Sequence, residues 1–374
     1  MYLPSPTITN IAEAIAELGP QPHEVVLILM GESASVNIDG LIIHLKGLNV
    51  NFVGGVFPAV MSSETHSEAG VVLKVLPAAT PPHLIRGLDQ AIELPDLDAE
   101  LTLADDTQLT TLVLIDGLTH QIGTFLAELY DHLGNAVRYL GGGAGSLSLQ
   151  QQPCIFTAEG CFQDAAILLF TPLESRLGVR HGWQRLQGPM PATQTQHNTI
   201  VELNWQNAFD VYQGVVEADS QQSLTPENFF DIAKGYPFGL FKEGQEDIVR
   251  DPILVNEKQE LVCVGEVPEN ALLYILRGEP ESLVDSARQA ASEALQGASN
   301  RLQDVLVVDC ISRVLFLGDR FPEELQALQE NVSDLPDKIA FEGVLTLGEI
   351  SSYGEGFLEF FNKTIVVGAL YQTP

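Results

Sequence analysis

Positively charged residues are scarce in this chain. Its 374 residues include 18 lysines and arginines against 50 aspartates and glutamates, which gives a formal net charge of −32. A surface this acidic repels phosphate backbones and anionic lipid headgroups, so we predict neither a nucleic acid nor a membrane as a partner. Only eleven of the cations are arginines. An arginine that stands beside a glycine-rich loop is therefore a candidate anion-binding residue.

Cysteines and long apolar runs are also few. Cys154, Cys161, Cys263 and Cys310 have the spacing of neither a disulfide framework nor a zinc site, and the histidines show no metal-ligand pattern. We predict no metal, no cofactor and a reducing, cytoplasmic location. No apolar run approaches the ~20 residues of a membrane-spanning helix, and the N-terminus shows no signal-peptide pattern.

The chain is rich in apolar residues, which make up 45% of it and follow a recurring order. Residues 24–76 predict a buried strand, a helical segment, a second strand, a glycine pair and a third strand. The same order recurs over 111–171, so we infer a tandem duplication. It occurs a third time after residue 304, where a buried strand begins the last part of the chain.

This pattern predicts an α/β (α+β) protein with mixed β-sheets flanked by helices. A polar, turn-rich connector at 172–200 is the best candidate for a domain boundary. We therefore predict two packed domains, 1–175 and 176–374, the first of which contains the tandem duplication.

Two glycine-rich stretches follow predicted strands. The cluster at 141–145 lacks both the P-loop ending and the GxGxxG spacing of dinucleotide folds. It fits either a tight turn where two layers touch or a set of backbone N–H groups that cradle an anion. Near the C-terminus, Gly348 and Glu349 stand where a strand becomes a loop. An ordinary hairpin with a solvated glutamate is the simplest interpretation there.

Arg313 follows the strand that ends at Cys310, near the edge where α/β folds bind ligands. Its planar guanidinium suits a ligand carboxylate, although a structural salt bridge is an equal alternative. Cys310 fits a small buried hydrophobe better than a nucleophile. No GxSxG elbow, kinase motif set or paired-carboxylate motif accompanies it.

A series of short motifs lies in the same order over some 300 residues. In the N-terminal part they are 53–55, 114–117, 141–142 and the strand after Cys161; in the C-terminal part they are 179–183, 198–204, 236–239, 249–250, 309–310 with Arg313, 348–350 and 362–364. The ordered set resembles the FIST family, the paired FIST N-terminal and C-terminal domains of bacterial sensory proteins. The resemblance covers nearly the whole chain.

The resemblance implies an intracellular signal-transduction sensor that binds a small ligand such as an amino acid or a similar small carboxylate. We predict one pocket in which Arg313, with Arg250 in reserve, binds a ligand carboxylate and Glu349 binds its ammonium group. Gly348, Cys310 and the backbone of Gly142 and Gly143 complete this pocket. The expected partners are this ligand and an unidentified downstream signalling protein.

Two alternatives to the sensor stay open. One is an enzyme that uses Cys310 or Ser351 as nucleophile in the same cleft, and the other is a protein-interaction scaffold with an acidic face. We favour a binding protein over an enzyme.

Overall fold

A computed structural model describes residues 1–90, 92–97, 101, 108–298, 301–333, 340–352 and 357–373. Its helices are α1 (Ile8–Leu18), α2 (Ile38–Gly47), α3 (Ile122–Leu133), α4 (Ala208–Ser220), α5 (Phe229–Ala233), α6 (Pro280–Ala294), α7 (Ile311–Leu317) and α8 (Phe321–Ser333), with 3₁₀ turns at Gly134–Ala136 and Gly318–Arg320. In the described ranges, no helix is both long enough and apolar enough to cross a bilayer.

The strands fall into four sheets. In chain order they are β1 (Tyr2–Leu3), β2 (Glu24–Gly31), β3 (Phe52–Phe57), β4 (Ala59–Ser62), β5 (His66–Ser67), β6 (Val71–Pro77), β7 (His83–Arg86), β8 (Leu109–Asp116), β9 (Val137–Ala144), β10 (Ile155–Thr157), β11 (Gly160–Phe162), β12 (Ala165–Thr171), β13 (Glu174–Arg180), β14 (Gln184–Pro191), β15 (Gln194–Gln196), β16 (Thr199–Leu203), β17 (Gln206–Asn207), β18 (Phe238–Leu240), β19 (Ile248–Val255), β20 (Leu261–Val264), β21 (Leu272–Arg277), β22 (Leu302–Cys310), β23 (Phe341–Thr346), β24 (Glu349–Ser352), β25 (Leu358–Phe361) and β26 (Ile365–Tyr371).

Three of the sheets repeat one topological unit. In each, a buried first strand is followed by helical structure and a parallel second strand, as in β2–β3, β8–β9 and β22–β23. A third strand then returns antiparallel to the first, as in β6, β12 and β26. A strand that precedes each unit in the chain, β1, β7 or β13, pairs with the outer edge of the third strand. The predicted α/β class with mixed sheets and a repeated unit is confirmed.

The three units exchange hairpins in a cycle. The hairpin between the second and third strands of each unit leaves its own sheet and pairs with another unit's second strand. Thus β4–β5 extends the third sheet at β23, β10–β11 extends the first at β3, and β24–β25 extends the second at β9. The outer edge of each second strand is thereby paired, and the short hairpin strands β5, β11 and β25 form the new sheet edges.

A glycine at the same place in each unit permits this close assembly. Gly54, Gly141 and Gly343 stand opposite the same position of the first strand in their respective units. A Cβ at Gly141 would lie 1.9 Å from the Val113 carbonyl oxygen. At Gly343 the corresponding clearance is 1.8 Å. Only glycine fits where backbone is packed this tightly.

The fourth sheet is inserted between β13 and α6. Its strand order is β14-β21-β18-β19-β20-β16-β15, with β17 paired to β16. Tyr212 of α4 and Phe229 of α5 pack in its core beside Phe238 of β18. The predicted boundary between residues 175 and 176 falls inside β13, which pairs with β26 at the end of the chain. Whether 1–175 and 176–374 are separate domains stays a prediction.

Candidate functional site

The third unit differs from the other two in one buried position of its first strand. The shared register makes Met30, Ile115 and Asp309 equivalent, because each is the last position of the ladder between first and third strands. The first two are apolar, as a core position between two packed layers requires. Asp309 is also fully buried. A carboxyl group therefore occupies a place where two copies of the same architecture have an apolar side chain.

A second such position lies in the exchanged hairpins. Val60, Ile155 and Glu349 are equivalent, because each pairs with the same position of the neighbouring second strand. Glu349 stands opposite Gly142 and is fully buried. The third unit thus carries a second ionisable side chain at a position where the other two units have an aliphatic side chain.

These two carboxyl groups belong to what we call the polar cluster, a set of buried polar side chains at the strand ends of the third unit. Its members are Asp251, Asp309, Cys310, Arg313, Glu324, Thr346, Glu349, Lys363 and Thr364. They come from β19, β22, α7, α8, β23, β24 and the turn between β25 and β26.

Glu349 is held by two hydrogen bonds. Its Oε1 accepts from the Thr346 hydroxyl at 2.8 Å, and its Oε2 accepts from the Thr364 backbone N–H at 3.2 Å. Burial raises the pKa of Glu349 to about 8, although these bonds oppose the increase. The carboxyl group therefore changes its charge near neutral pH.

Arg313 forms an ion-paired centre with two acids. Its Nε lies 3.2 Å from Asp309 Oδ1, and its Nη2 lies 2.6 Å from Glu324 Oε2. All three side chains are fully buried. Burial and the nearby Glu324 carboxylate raise the pKa of Asp309 well above its ordinary value. The neutral form of Asp309 is thereby favoured, because it avoids repulsion between the two buried acids.

The remaining N–H groups of Arg313 bind protein oxygens. They donate to the carbonyls of His181 at 2.7 Å, Leu283 at 3.0 Å and Lys363 at 3.4 Å, and to the Ser286 hydroxyl at 3.3 Å. Arg313 thereby joins α7 to α6, α8 and two loops. In this arrangement every donor of the predicted carboxylate-binding residue has a protein partner, and its role towards a ligand stays a prediction.

Lys363 is a second fully buried cation. Its Nζ lies 3.1 Å from Asp251 Oδ2 and donates to the Lys234 carbonyl at 3.0 Å. It also lies 4.9 Å from the centre of the Trp183 ring. Asp251 Oδ2 accepts from Ser312 as well, but Oδ1 is buried without a hydrogen-bond partner. The cluster thus retains an open acceptor.

The predicted glycines lie next to the cluster and are bonded within the protein. The Gly143 N–H donates to the Gly348 carbonyl at 2.8 Å, and the Gly143 carbonyl accepts from the Leu347 N–H at 3.0 Å. A Cβ at Gly142 would lie 2.7 Å from the Thr346 methyl carbon. This geometry matches the interpretation of the glycine cluster as a close contact between layers. Its predicted role in ligand binding stays a prediction.

The two candidate nucleophiles are not activated by their surroundings. Burial and the neighbouring Glu349 carboxyl group raise the pKa of the Cys310 thiol well above its ordinary value, so the thiolate is disfavoured. The Ser351 hydroxyl donates to the Tyr139 carbonyl at 3.1 Å, and a carbonyl oxygen cannot serve as a general base.

The structure brings most predicted site residues together but separates Arg250 from them. Arg250 and Asp251 are consecutive on β19, so their side chains point to opposite faces of the strand. Two open depressions on the described surface, one with a volume of about 630 Å³ beside α8, have no cluster residue in their walls. The described residues contain no group of side chains arranged to hold a metal ion.

Six members of the cluster were not among the predicted site residues: Asp251, Asp309, Glu324, Thr346, Lys363 and Thr364. Lys363 carries a usable signal, because a lysine between two largely apolar strands is expected to be buried with a partner. Asp251 and Glu324 carry no such signal in the sequence, since their contacts depend on the fold.

Comparison with known families identifies the chain. The FIST N domain matches residues 57–206, and the FIST C domain matches residues 208–352. The chain belongs to the FIST family. FIST domains are associated with signal-transduction sensing. Asp309, Arg313 and Glu349 of this FIST protein lie within the FIST C match, and Lys363 lies beyond its end. No curated protein matches the sequence.

Proposed function

We propose that this FIST protein is a sensor that binds an amino acid, or a similar small carboxylate with an amine, at the polar cluster. The observation that carries the proposal is the equivalence of Glu349 with Val60 and Ile155. Burying a carboxyl group costs several kcal/mol unless it is fully compensated. Two units of the same fold do without it, so the requirement is not architectural. Departures from core packing rules concentrate at functional sites.

The charge of the polar cluster favours an ammonium group. Its four carboxyl groups face two cations, Arg313 and Lys363. The raised pKa values of Asp309 and Glu349 favour their neutral forms, so the other two carboxylates balance the two cations. A ligand ammonium would therefore take the place of the proton on Glu349, and the unpaired Asp251 Oδ1 is a further acceptor. Entry of the ammonium would favour the ionised form of Glu349.

The Arg313 guanidinium would bind the ligand carboxylate through two N–H groups. Glu324 holds the Nε and Nη2 groups of Arg313 through both of its oxygens, at 3.2 and 2.6 Å. A ligand carboxylate binds a guanidinium in the same two-point manner. The ligand would therefore replace Glu324, which belongs to α8. Release of α8 from α7 is the conformational signal that follows.

A binding screen with matched variants tests this proposal. Thermal unfolding of the wild type is measured with each common amino acid, and hits are titrated by calorimetry. A ligand at 100 times its dissociation constant stabilises the fold by about 2.7 kcal/mol. We expect Glu349→Ile, which introduces the side chain of the equivalent Ile155, to fold and to lose this response. Glu349→Gln tests the charge alone.

Glu17→Gln is the control, because Glu17 is exposed on α1, in the first unit. It should respond to the ligand as the wild type does. A hit that both Glu349 variants bind with unchanged affinity would place the ligand elsewhere. Hydrogen exchange of α8 reports the second part of the proposal, since displacement of Glu324 should speed exchange in 321–333.

A further inference from the structure

Arg250 is a buried cation outside the polar cluster, and among the described residues it has no acidic partner. Arg250 on β19 is 7% exposed. Its Nε donates to the Glu266 carbonyl at 2.7 Å, and its Nη1 donates to the carbonyls of Val249 and Phe360, both at 3.0 Å. In the described part of the chain, no carboxylate lies within 4.0 Å of this guanidinium. Every other described buried guanidinium or ammonium group, in Arg313, Lys363 and Lys74, has one.

The Nη2 group of Arg250 takes part in none of these hydrogen bonds. Burial lowers the pKa of Arg250, because its charge is only partly compensated by the carbonyl oxygens and by more distant acids. The Nη2 group keeps contact with solvent at the 7% of Arg250 that is exposed, so its two N–H donors remain for a group that brings negative charge.

Asn362 is the second unsatisfied group in this place. Its side chain is 1% exposed, and neither Oδ1 nor Nδ2 has a hydrogen-bond partner. A buried amide normally makes several hydrogen bonds, because an unpaired polar atom in the interior costs about 1–3 kcal/mol. Asn362 thus offers two donors and one acceptor at once.

Gly265 shows that Arg250 and Asn362 face the same spot. A Cβ at Gly265 would lie 3.0 Å from Arg250 Nε and 3.2 Å from Asn362 Oδ1. The Gly265 φ angle of +80° also disfavours any other residue. Backbone without a side chain is therefore kept beside the Arg250 guanidinium and the unsatisfied Asn362 amide.

We propose that Arg250 and Asn362 form a binding site for a small oxyanion that also carries an O–H donor. The anionic oxygens accept from Arg250 Nη2 and Asn362 Nδ2, and the O–H donates to Asn362 Oδ1. An α-hydroxycarboxylate and a protonated phosphate both have this chemistry. The site is independent of the proposed sensor ligand, because it lies on the other face of β19 from Asp251.

The test measures stabilisation and calorimetric binding with glycolate, inorganic phosphate and acetate at constant ionic strength. We expect saturable binding of glycolate, phosphate or both, and weaker binding of acetate, which lacks the donor. Which anion binds tells whether the site takes an α-hydroxycarboxylate or a protonated phosphate. Binding to none of the three, or equal binding of acetate and glycolate, would overturn the proposal.

Asn362→Leu is the informative variant, because Asn362 has no protein partner to lose. It should fold as the wild type does and bind the anion at least about tenfold to a hundredfold more weakly, because it loses one hydrogen bond to a charged oxygen and a second to the O–H group. Asn362→Asp keeps the shape and adds a repelling charge, so it should abolish binding. If either variant binds as tightly as the wild type, Asn362 is not part of a site. Glu349→Gln should leave anion binding unchanged, which separates this site from the polar cluster.

Discussion

Glu349 and Ile155 occupy the same position of two exchanged hairpins, each opposite a glycine of a neighbouring unit's second strand. Glu349 pairs with Gly142, and Ile155 pairs with Gly55. The backbone is the same at both places, but one side chain is hydrocarbon and the other is ionisable. Because Glu349 can ionise and Ile155 cannot, the side chain of Glu349 makes the stability of the protein depend on pH.

We predict that Glu349 makes the protein less stable as the pH rises from about 4.5 to about 8. The pKa of Glu349 is raised from 4.5 to about 8 in the folded state. Within this window the folded protein keeps a proton that the unfolded chain loses, so the free energy of unfolding falls. The slope is at most about 1.4 kcal/mol per pH unit, and the effect levels off above the folded pKa.

Urea unfolding of the wild type and of Glu349→Gln at several pH values isolates this contribution. All other carboxyl groups are common to both proteins, so their effects largely cancel in the difference. The stability of the variant relative to the wild type should increase between about pH 5 and about pH 8. A difference that does not change with pH would mean that Glu349 titrates normally.

Replacement of Arg313 by alanine should destabilise the protein by about 3–5 kcal/mol, because it leaves Asp309 and Glu324 buried without their cation. Arg313→Lys should be intermediate, since an ammonium group cannot reproduce the two-point contact with Glu324. The midpoint of denaturant unfolding is the measurement. Arg320→Ala is the control, as its ion pairs are exposed, and it should shift the midpoint little.

Alanine at Gly141 or Gly343 should destabilise the protein by more than about 3 kcal/mol, because the added Cβ meets a carbonyl oxygen of the neighbouring strand. Gly214→Ala provides the opposite case. Gly214 lies in the middle of α4 and has no atom within 4 Å of an added Cβ. This variant should be more stable by about 0.5–1 kcal/mol, from helix propensity. Equal effects at all three positions would refute the packing explanation.

Iodoacetamide should label Cys161 before the other cysteines in the native protein. Cys161 is half-buried and its pKa is raised to about 11. The other three cysteines are buried: the thiol pKa values of Cys154 and Cys263 are raised further, and that of Cys310 is raised well above its ordinary value. Mass spectrometry of the labelled peptides gives the order. Preferential reaction of Cys310 would instead revive the enzyme alternative.

Much of the fold follows from local patterns. The apolar runs that became β2, β8 and β22 are continuous, as strands buried on both faces must be. The recurrence of strand, helix, strand and glycine revealed the repeated unit. The roles of Gly142 and Gly143 were harder to foresee, because a glycine that packs against backbone and one that binds an anion look alike in a sequence.

The candidate site was predictable in part. Cys310, Arg313 and Glu349 stand at strand ends, where ligand sites of α/β folds are found, and they do lie near one another. Arg250 was also predicted to bind a ligand carboxylate, but side chains alternate along β19, so Arg250 lies on the opposite face of the strand from Asp251. The partner of Arg313, Glu324 on α8, is fixed by how two helices pack, and no pattern in the sequence encodes that contact.

The sequence by itself determined the acidity of the protein, its buried first strands, the repeated order of elements and the glycines that allow close packing, because each is a property of composition or of local periodicity. Only the tertiary structure decided which unit receives which hairpin, which cations have acidic partners and where Asn362 lies. These depend on contacts between residues far apart in the chain. Such contacts exist only once the three units have exchanged their hairpins.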